Sequence, residues 1–243
     1  MANHQLLDNI THKDIKVITA QHPQYGDNHS YARIVPSELK AAQADYPLFF
    51  RKNNETGQFE IIAMFGMAEQ ENLFLDDNGW HAHYLPLSVQ RRPFLIGFQS
   101  SNDPATPEDK AVVHIDMDSP RISQTEGEPL FLEQGGQSPY LQHISAVLNA
   151  LQQGWMHTQA FVETLQSLEL MESVNLKAKL DNGENVELAG LYTIHEDKLR
   201  ELSGEQVASL HKNGMLELIY MMDASLQNIA RLIALKNKRL AAK

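Results

Sequence analysis

Apolar and polar positions follow different periods in the two halves of this chain, and the change of period predicts an α+β fold. In the first half the apolar runs are short and punctuated. Ile15 and Val17 alternate with polar neighbours, so residues 13–20 read as a first strand. Residues 21–31 are polar and carry Pro23 and Gly26, the composition of a loop. Pro36-Ser37-Glu38 starts a short helix with Ser37 as its N-cap and Leu39, Ala41 and Ala42 facing inward. That helix must stop before Pro47. Apolar, aromatic-rich runs at 47–50 and 59–67 flank a polar turn at 51–58 with Gly57 near its end, which is a hairpin pattern. Residues 85–92 read as one or two helical turns after Pro86. Residues 95–98 and 112–117 read as strands, separated by a loop at 100–109 that holds two prolines. A short strand at 130–132 and a Gly-rich loop at 133–138 complete this half.

The second half is helical. Ser138-Pro139 supplies an N-cap and a first helical position. Leu141, Ile144, Val147, Leu148 and Leu151 follow at helix spacing, and Phe161, Leu165 and Leu168 continue it. Gly154, between the two runs, is a break or only a thin spot. Residues 174–180 and 186–194 flank Asn182-Gly183, a strong turn dipeptide, and predict a second hairpin. A helix at 196–202 and a long one after Ser203 close the chain. Ser203 and Gln206 fit a capping box, and Gly214 interrupts the long helix. No internal repeat is visible. The expected organisation is a strand-rich part over residues 1–135, with antiparallel hairpins, and a helical part with one further hairpin over 136–243; alternatively the two form one continuous domain.

The most particular stretch is 46–98. It carries Asn72-Leu73-Phe74, Trp80, Tyr84-Leu85-Pro86 and Arg91-Arg92-Pro93-Phe94 in that order. With Ile115-Asp116-Met117-Asp118-Ser119-Pro120-Arg121, Glu126-Gly127-Glu128-Pro129-Leu130-Phe131, Gly190-Leu191-Tyr192-Thr193-Ile194 and Leu216-Glu217-Leu218-Ile219-Tyr220 followed by Ser225 and Asn228, it resembles the bacterial SapC family from about Leu7 to Arg231. That family takes its name from a surface-layer locus. Its members often lie beside TonB-dependent outer-membrane receptors, flavin-dependent tryptophan halogenases and cupin-like oxygenases. The resemblance implies no particular reaction. The family pattern has an acidic residue where this chain has His81 and a basic one where it has His83, so a role for these two histidines is not a family property.

Composition narrows the classes. A net charge of −11 makes nucleic acid a poor partner. The absence of cysteine excludes disulfides, thiolate nucleophiles and Cys-ligated metal centres. No uncharged apolar run reaches about 18 residues, so no membrane span is expected. The first 21 residues show no basic segment leading into an apolar one, and the expected location is the cytoplasm. Nothing in the pattern specifies an oligomeric state.

Candidate chemistry is sparse. On a strand, His114, Asp116 and Asp118 share one face, and His81 and His83 share another. Two imidazoles and a carboxylate suit non-haem iron, so His81, His83, His114 and Asp116 are the metal candidates of an alternative reading with iron or zinc. The simpler reading is a wet strand face, with Val113, Ile115 and Met117 turned to the core. Asp116, Asp118, Ser119 and Arg121 also fit a proline turn. Arg91 and Arg92 can clamp a carboxylate or phosphate. Trp80 and Tyr84, with Phe74 and Phe94, can line a pocket or simply pack. Residues 231–243 hold five basic side chains and no acidic one, which suits a helix C-terminus or a docking tail. Gly-rich phosphate loops, nucleophile elbows and zinc-protease motifs are missing. The leading expectation is a non-catalytic binding or protein-interaction module with no cofactor. It would be accessory to surface-layer or outer-membrane nutrient uptake systems or to neighbouring tailoring enzymes. Its binding candidates are Trp80, Tyr84, Arg91, Arg92, Asp116 and Asp118, facing a protein partner or a small-molecule ligand. The alternative is a metal-dependent enzyme.

Overall fold

The computed structural model describes residues 3–99 and 110–242. In chain order the elements are β1 (His4–Leu6), β2 (Lys16–Val17), β3 (Tyr31–Ile34), α1 (Leu39–Ala42), β4 (Leu48–Lys52), β5 (Phe59–Met64), β6 (Leu75–Asp76), β7 (Gly79–Trp80), α2 (Leu87–Gln90), β8 (Phe94–Gln99) and β9 (Lys110–Asp116). Then come β10 (Ile122–Ser123), β11 (Glu128–Pro129), α3 (Pro139–Ser167), β12 (Met171–Lys179), β13 (Asn185–Ile194), α4 (Glu196–Arg200), α5 (Gly204–Lys212), α6 (Met215–Ser225) and α7 (Asn228–Ala241). The chain is α+β, with antiparallel sheets through its N-terminal part and helices with one further hairpin in its C-terminal part. Among the described residues no helix is long and apolar enough to cross a membrane.

Two compact units form, each from two separate stretches of chain. The first unit takes Met1–Asp27 and Leu87–Gln152. Its larger sheet runs β1-β9-β8, with Phe94 opposite Ile115 and His4 opposite Asp116. A smaller sheet runs β10-β2-β11, with Val17 at its centre. Ile115 sits in the core, with Val113 and Met117 packed against it, as period-two alternation predicts. Leu141, Ile144 and Leu148 of α3 complete that core at helix spacing. Ser138 caps the helix by accepting from Leu141 N at 3.1 Å, a contact worth about 1 kcal/mol.

The second unit takes Asn28–Pro86 and Gln153–Lys243. Its five-stranded antiparallel sheet has the order β12-β13-β4-β5-β3. Both predicted hairpins are present in it, β4–β5 and β12–β13. Phe161 of α3 meets Phe50 of β4 with ring centroids 6.0 Å apart. Ser225 of α6 accepts from Leu48 N at 3.0 Å, and Asn228 of α7 donates to Gln43 O at 2.7 Å. These two polar residues therefore fasten the terminal helices to the segment that enters β4.

Several local readings change. The expected strand at 13–20 shrinks to Lys16–Val17, because its partners β10 and β11 are two residues each. β1 has no amphipathic signal, since His4 and Leu6 are exposed. Ser37 does not cap; Val35 holds the N-cap position, and its N–H is taken by Glu38 Oε2 at 2.9 Å. The strand expected at 130–132 lies earlier, at Glu128–Pro129, and Phe131 only bridges to Gln137. The loop expected at 100–109 lies outside the described residues. Gly154 is no break: α3 runs through it, and a Cβ there would fall 2.5 Å from Val35 Cβ. After Ser203, whose capping box with Gln206 is present, Gly214 separates α5 from α6 as expected. A further interruption at Leu226–Gln227 separates α6 from α7.

Candidate functional site

In the first unit the turn after α2 brings Arg91 and Arg92 beside Arg121. These arginines, together with Tyr25, His4 and Asp116, line a cavity of about 190 Å³. Arg121 is 2% exposed, and its positions are set by backbone. Its Nη1 donates to Ile18 O at 2.7 Å and Ala20 O at 2.9 Å. Its Nη2 donates to Asp27 at 2.6 and 2.7 Å and to Gln21 Oε1 at 3.0 Å. The guanidinium lies 5.5 Å over the Tyr25 ring. Arg121 Nε is buried without a hydrogen-bond partner among the described residues. Leaving a charged donor's N–H unmet in the interior costs on the order of 1–3 kcal/mol.

Arg92 donates to Gly26 O at 3.0 Å and stands 3.8 Å from Asp27 Oδ1. Burial draws its pKa below the ordinary arginine value; Asp27 opposes this, and the like charges of Arg91 and Arg121 add to it. Arginine stays protonated throughout the accessible range. The shift therefore reflects burial first, with the neighbouring guanidinium groups of Arg91 and Arg121 as a smaller contribution. Arg91 Nη1 donates to Phe94 O at 2.6 Å, and the Arg92–Pro93 bond is cis. Among the described residues three arginines and the carboxylate of Asp116 line the cavity, and Asp27 pairs with Arg121 behind it.

Asp116 and Asp118 do turn work as well. Asp116 Oδ1 accepts from Asp118 N, and Asp118 Oδ2 accepts from Asn3 N, both at 3.1 Å. Asp118 lies beyond the end of β9, so it does not continue the strand face of His114 and Asp116. The structure thus gathers three of the six sequence-level binding candidates, Arg91, Arg92 and Asp116, at one cavity. It adds Arg121, Asp27 and Tyr25. Arg121 was visible only as a turn residue, and Asp27 only as part of a polar loop.

Trp80 and Tyr84 belong to the second unit and are committed to its packing. Tyr46 is wholly buried; its hydroxyl accepts from Trp80 Nε1 at 2.9 Å and donates to Tyr84 O. Tyr84 donates to Glu38 Oε1 at 2.8 Å. Burial pushes both phenols well above their ordinary range. Phe65 and Phe74 present edges to the Tyr46 ring at 5.0 and 4.9 Å. Beside them, Asp45 accepts from the backbone N–H groups of His83 and Tyr84, both at 2.9 Å, and from Arg231 at 3.1 Å. The aromatic string clasps the chain at 72–86 around Tyr46.

The four metal candidates fall in different settings. His81 is not on a strand; its Nε2 meets Asp76 Oδ1 at 2.6 Å. His83, also outside any strand, has a 94%-exposed side chain beside Asp45. Their expected shared strand face is absent because β7 ends at Trp80; beyond it His81 N donates to Phe74 O, and Asp45 takes the N–H groups of His83 and Tyr84. His114 packs against Gly97, where a Cβ would come within 2.6 Å of its ring. Among the described residues no three His, Asp or Glu side chains form a metal-sized group. The basic end of α7 is tied down too: Lys236 pairs with Glu71 at 2.6 Å, and Arg239 donates to Asn72 O and Leu75 O at 2.7 Å.

The SapC family model matches residues 7–232. The chain belongs to the SapC family. Neither the curated proteins nor the solved structures give a match.

Proposed function

We propose that this SapC-family chain is a non-catalytic binding module of the cytoplasm. Its first unit recognises an anionic group, a carboxylate or phosphate, at the Arg91–Arg92–Arg121 cavity. The observation that carries this reading is the meeting of three guanidinium groups at one small cavity, with Arg121 held almost fully buried and its Nε–H unmet among the described residues. Like charges held close together in a partly buried cavity are costly, and an anion between them offsets that cost. The guanidinium fork is the geometry that selects a planar or tetrahedral oxyanion. The cavity is too small for a drug-sized ligand, so the anion is a single group, free or displayed on a larger molecule. The family's neighbourhood supplies the proposed setting, accessory to surface-layer or outer-membrane nutrient systems or to neighbouring tailoring enzymes.

Calorimetric titration with inorganic phosphate and with succinate tests the reading. One of these anions binds saturably at one site, and Arg92→Gln weakens that binding at least about tenfold with the melting temperature little changed. Anion effects that are linear in concentration, or equal in the two proteins, contradict it.

A further inference from the structure

A second cavity, of about 420 Å³, opens on one face of the five-stranded sheet in the second unit. It has no part in the arginine cavity. Its floor is Ile62 and Met64 of β5 with Leu188 and Leu191 of β13, and its wall carries Tyr31 and Arg51. Strand geometry explains most of this. Tyr31 lies opposite Met64, and Arg51 lies opposite Leu191, so each pair shares a face.

Leu188 and Leu191 are the exception, because residues three apart on a regular strand point to opposite faces. The β12–β13 ladder resolves it. Val174 pairs with Leu191 while Leu176 pairs with Leu188, so two residues, Ala189 and Gly190, oppose the single Asn175. This is a β-bulge, and Gly190 takes the left-handed conformation, φ 76°, that the extra residue requires. The bulge turns both leucines into the cavity. It sits at the head of the Gly190–Ile194 motif, and the arginine cavity makes no use of it.

Arg51 supplies the polar end. Its guanidinium stacks 4.7 Å from the Tyr31 ring centroid, and it forms no ion pair among the described residues. Its cross-strand neighbour Glu60 is engaged by Arg33 at 3.3 Å and by Asn53 at 2.8 Å. A preorganised cation at the edge of an aliphatic floor matches one kind of molecule, an apolar chain ending in a single negative charge. Glu69 on the rim disfavours a second negative charge. The volume lies within the roughly 300–1,000 Å³ of small-molecule sites, and methionine in the floor adapts to a flexible chain.

We propose that this cavity binds an amphipathic monocarboxylate, with its carboxylate on Arg51 and its apolar chain on the floor of Ile62, Met64, Leu188 and Leu191. Calorimetric titration with octanoate, octan-1-ol and octylamine tests it on the whole chain. Octanoate binds saturably at one site, octan-1-ol at least about tenfold more weakly, and octylamine not at all. Arg51→Gln brings octanoate down to the affinity of octan-1-ol and leaves octan-1-ol unchanged. Leu188→Trp fills the cavity and abolishes both. The contrast between octanoate and octan-1-ol on the unaltered chain tests the head group whether or not the variants fold. Absence of saturable octanoate binding, equal affinity for the acid and the alcohol, or undiminished octanoate binding in folded Arg51→Gln overturns the proposal.

Discussion

At the scale of single residues the molecule is organised by buried charges that bind backbone. Asp45 is the clearest. Burial alone would raise its pKa, but the contacts from His83, Tyr84 N–H and Arg231 outweigh burial and hold it below the ordinary carboxylate value. A carboxylate depressed in the folded state stabilises the fold above its unfolded pKa and loses that contribution as pH falls through the folded value. Asp45→Asn should therefore melt well below the native chain at pH 7, and the gap should narrow as pH drops below about 4. Thermal melts across that range check it; a gap independent of pH contradicts the account of the clasp. Residues of this kind were only half legible. Trp80 and Tyr84 stood out as members of an aromatic string, yet their partners Tyr46, Asp45 and Glu38 lie 34 to 46 positions away. Arg121 and Asp27 pair across 94 positions. A sequence shows the side chains of such a pair but not that they meet.

At the scale of elements, legibility followed local chemistry. Ser138-Pro139, the Ser203 capping box, the Asn182-Gly183 turn and the 51–58 turn each act within a few residues, and each is where the pattern put it. Gly154 was ambiguous because its reason is not local: the helix needs a missing Cβ to pass Val35. The end of α3 shows a different compromise. Leu170 N donates to Leu165 O at 2.8 Å and Glu169 N to Gln166 O at 3.1 Å, a Schellman closure with Glu169 in the left-handed region at φ 55°. Glycine is the residue suited to that position. Glu169→Gly should raise stability by about 0.5–1 kcal/mol, because the loss of the long, exposed 3.9 Å contact to Lys198 matters little. Denaturant melts giving a lower midpoint would contradict this.

At the scale of the whole molecule, each unit is assembled from two stretches, an interleaving that a change of composition along the chain does not signal. Period and punctuation establish the α+β class, and the order of motifs points to the SapC family, because both are properties of sequence order. The site depends on which distant loops converge, and there Arg91, Arg92 and Asp116 were legible as chemistry but not as neighbours of Arg121. The central claim is that this convergence is an anion site. Arginine side-chain NMR on the whole chain, titrated with phosphate and succinate, tests it most directly. The account predicts that the Arg121 Nε–H signal moves downfield and saturates together with Arg92 as that donor gains an oxyanion. Arg121 and Arg92 signals unmoved by either anion, while a surface arginine such as Arg200 drifts with ionic strength, would contradict it.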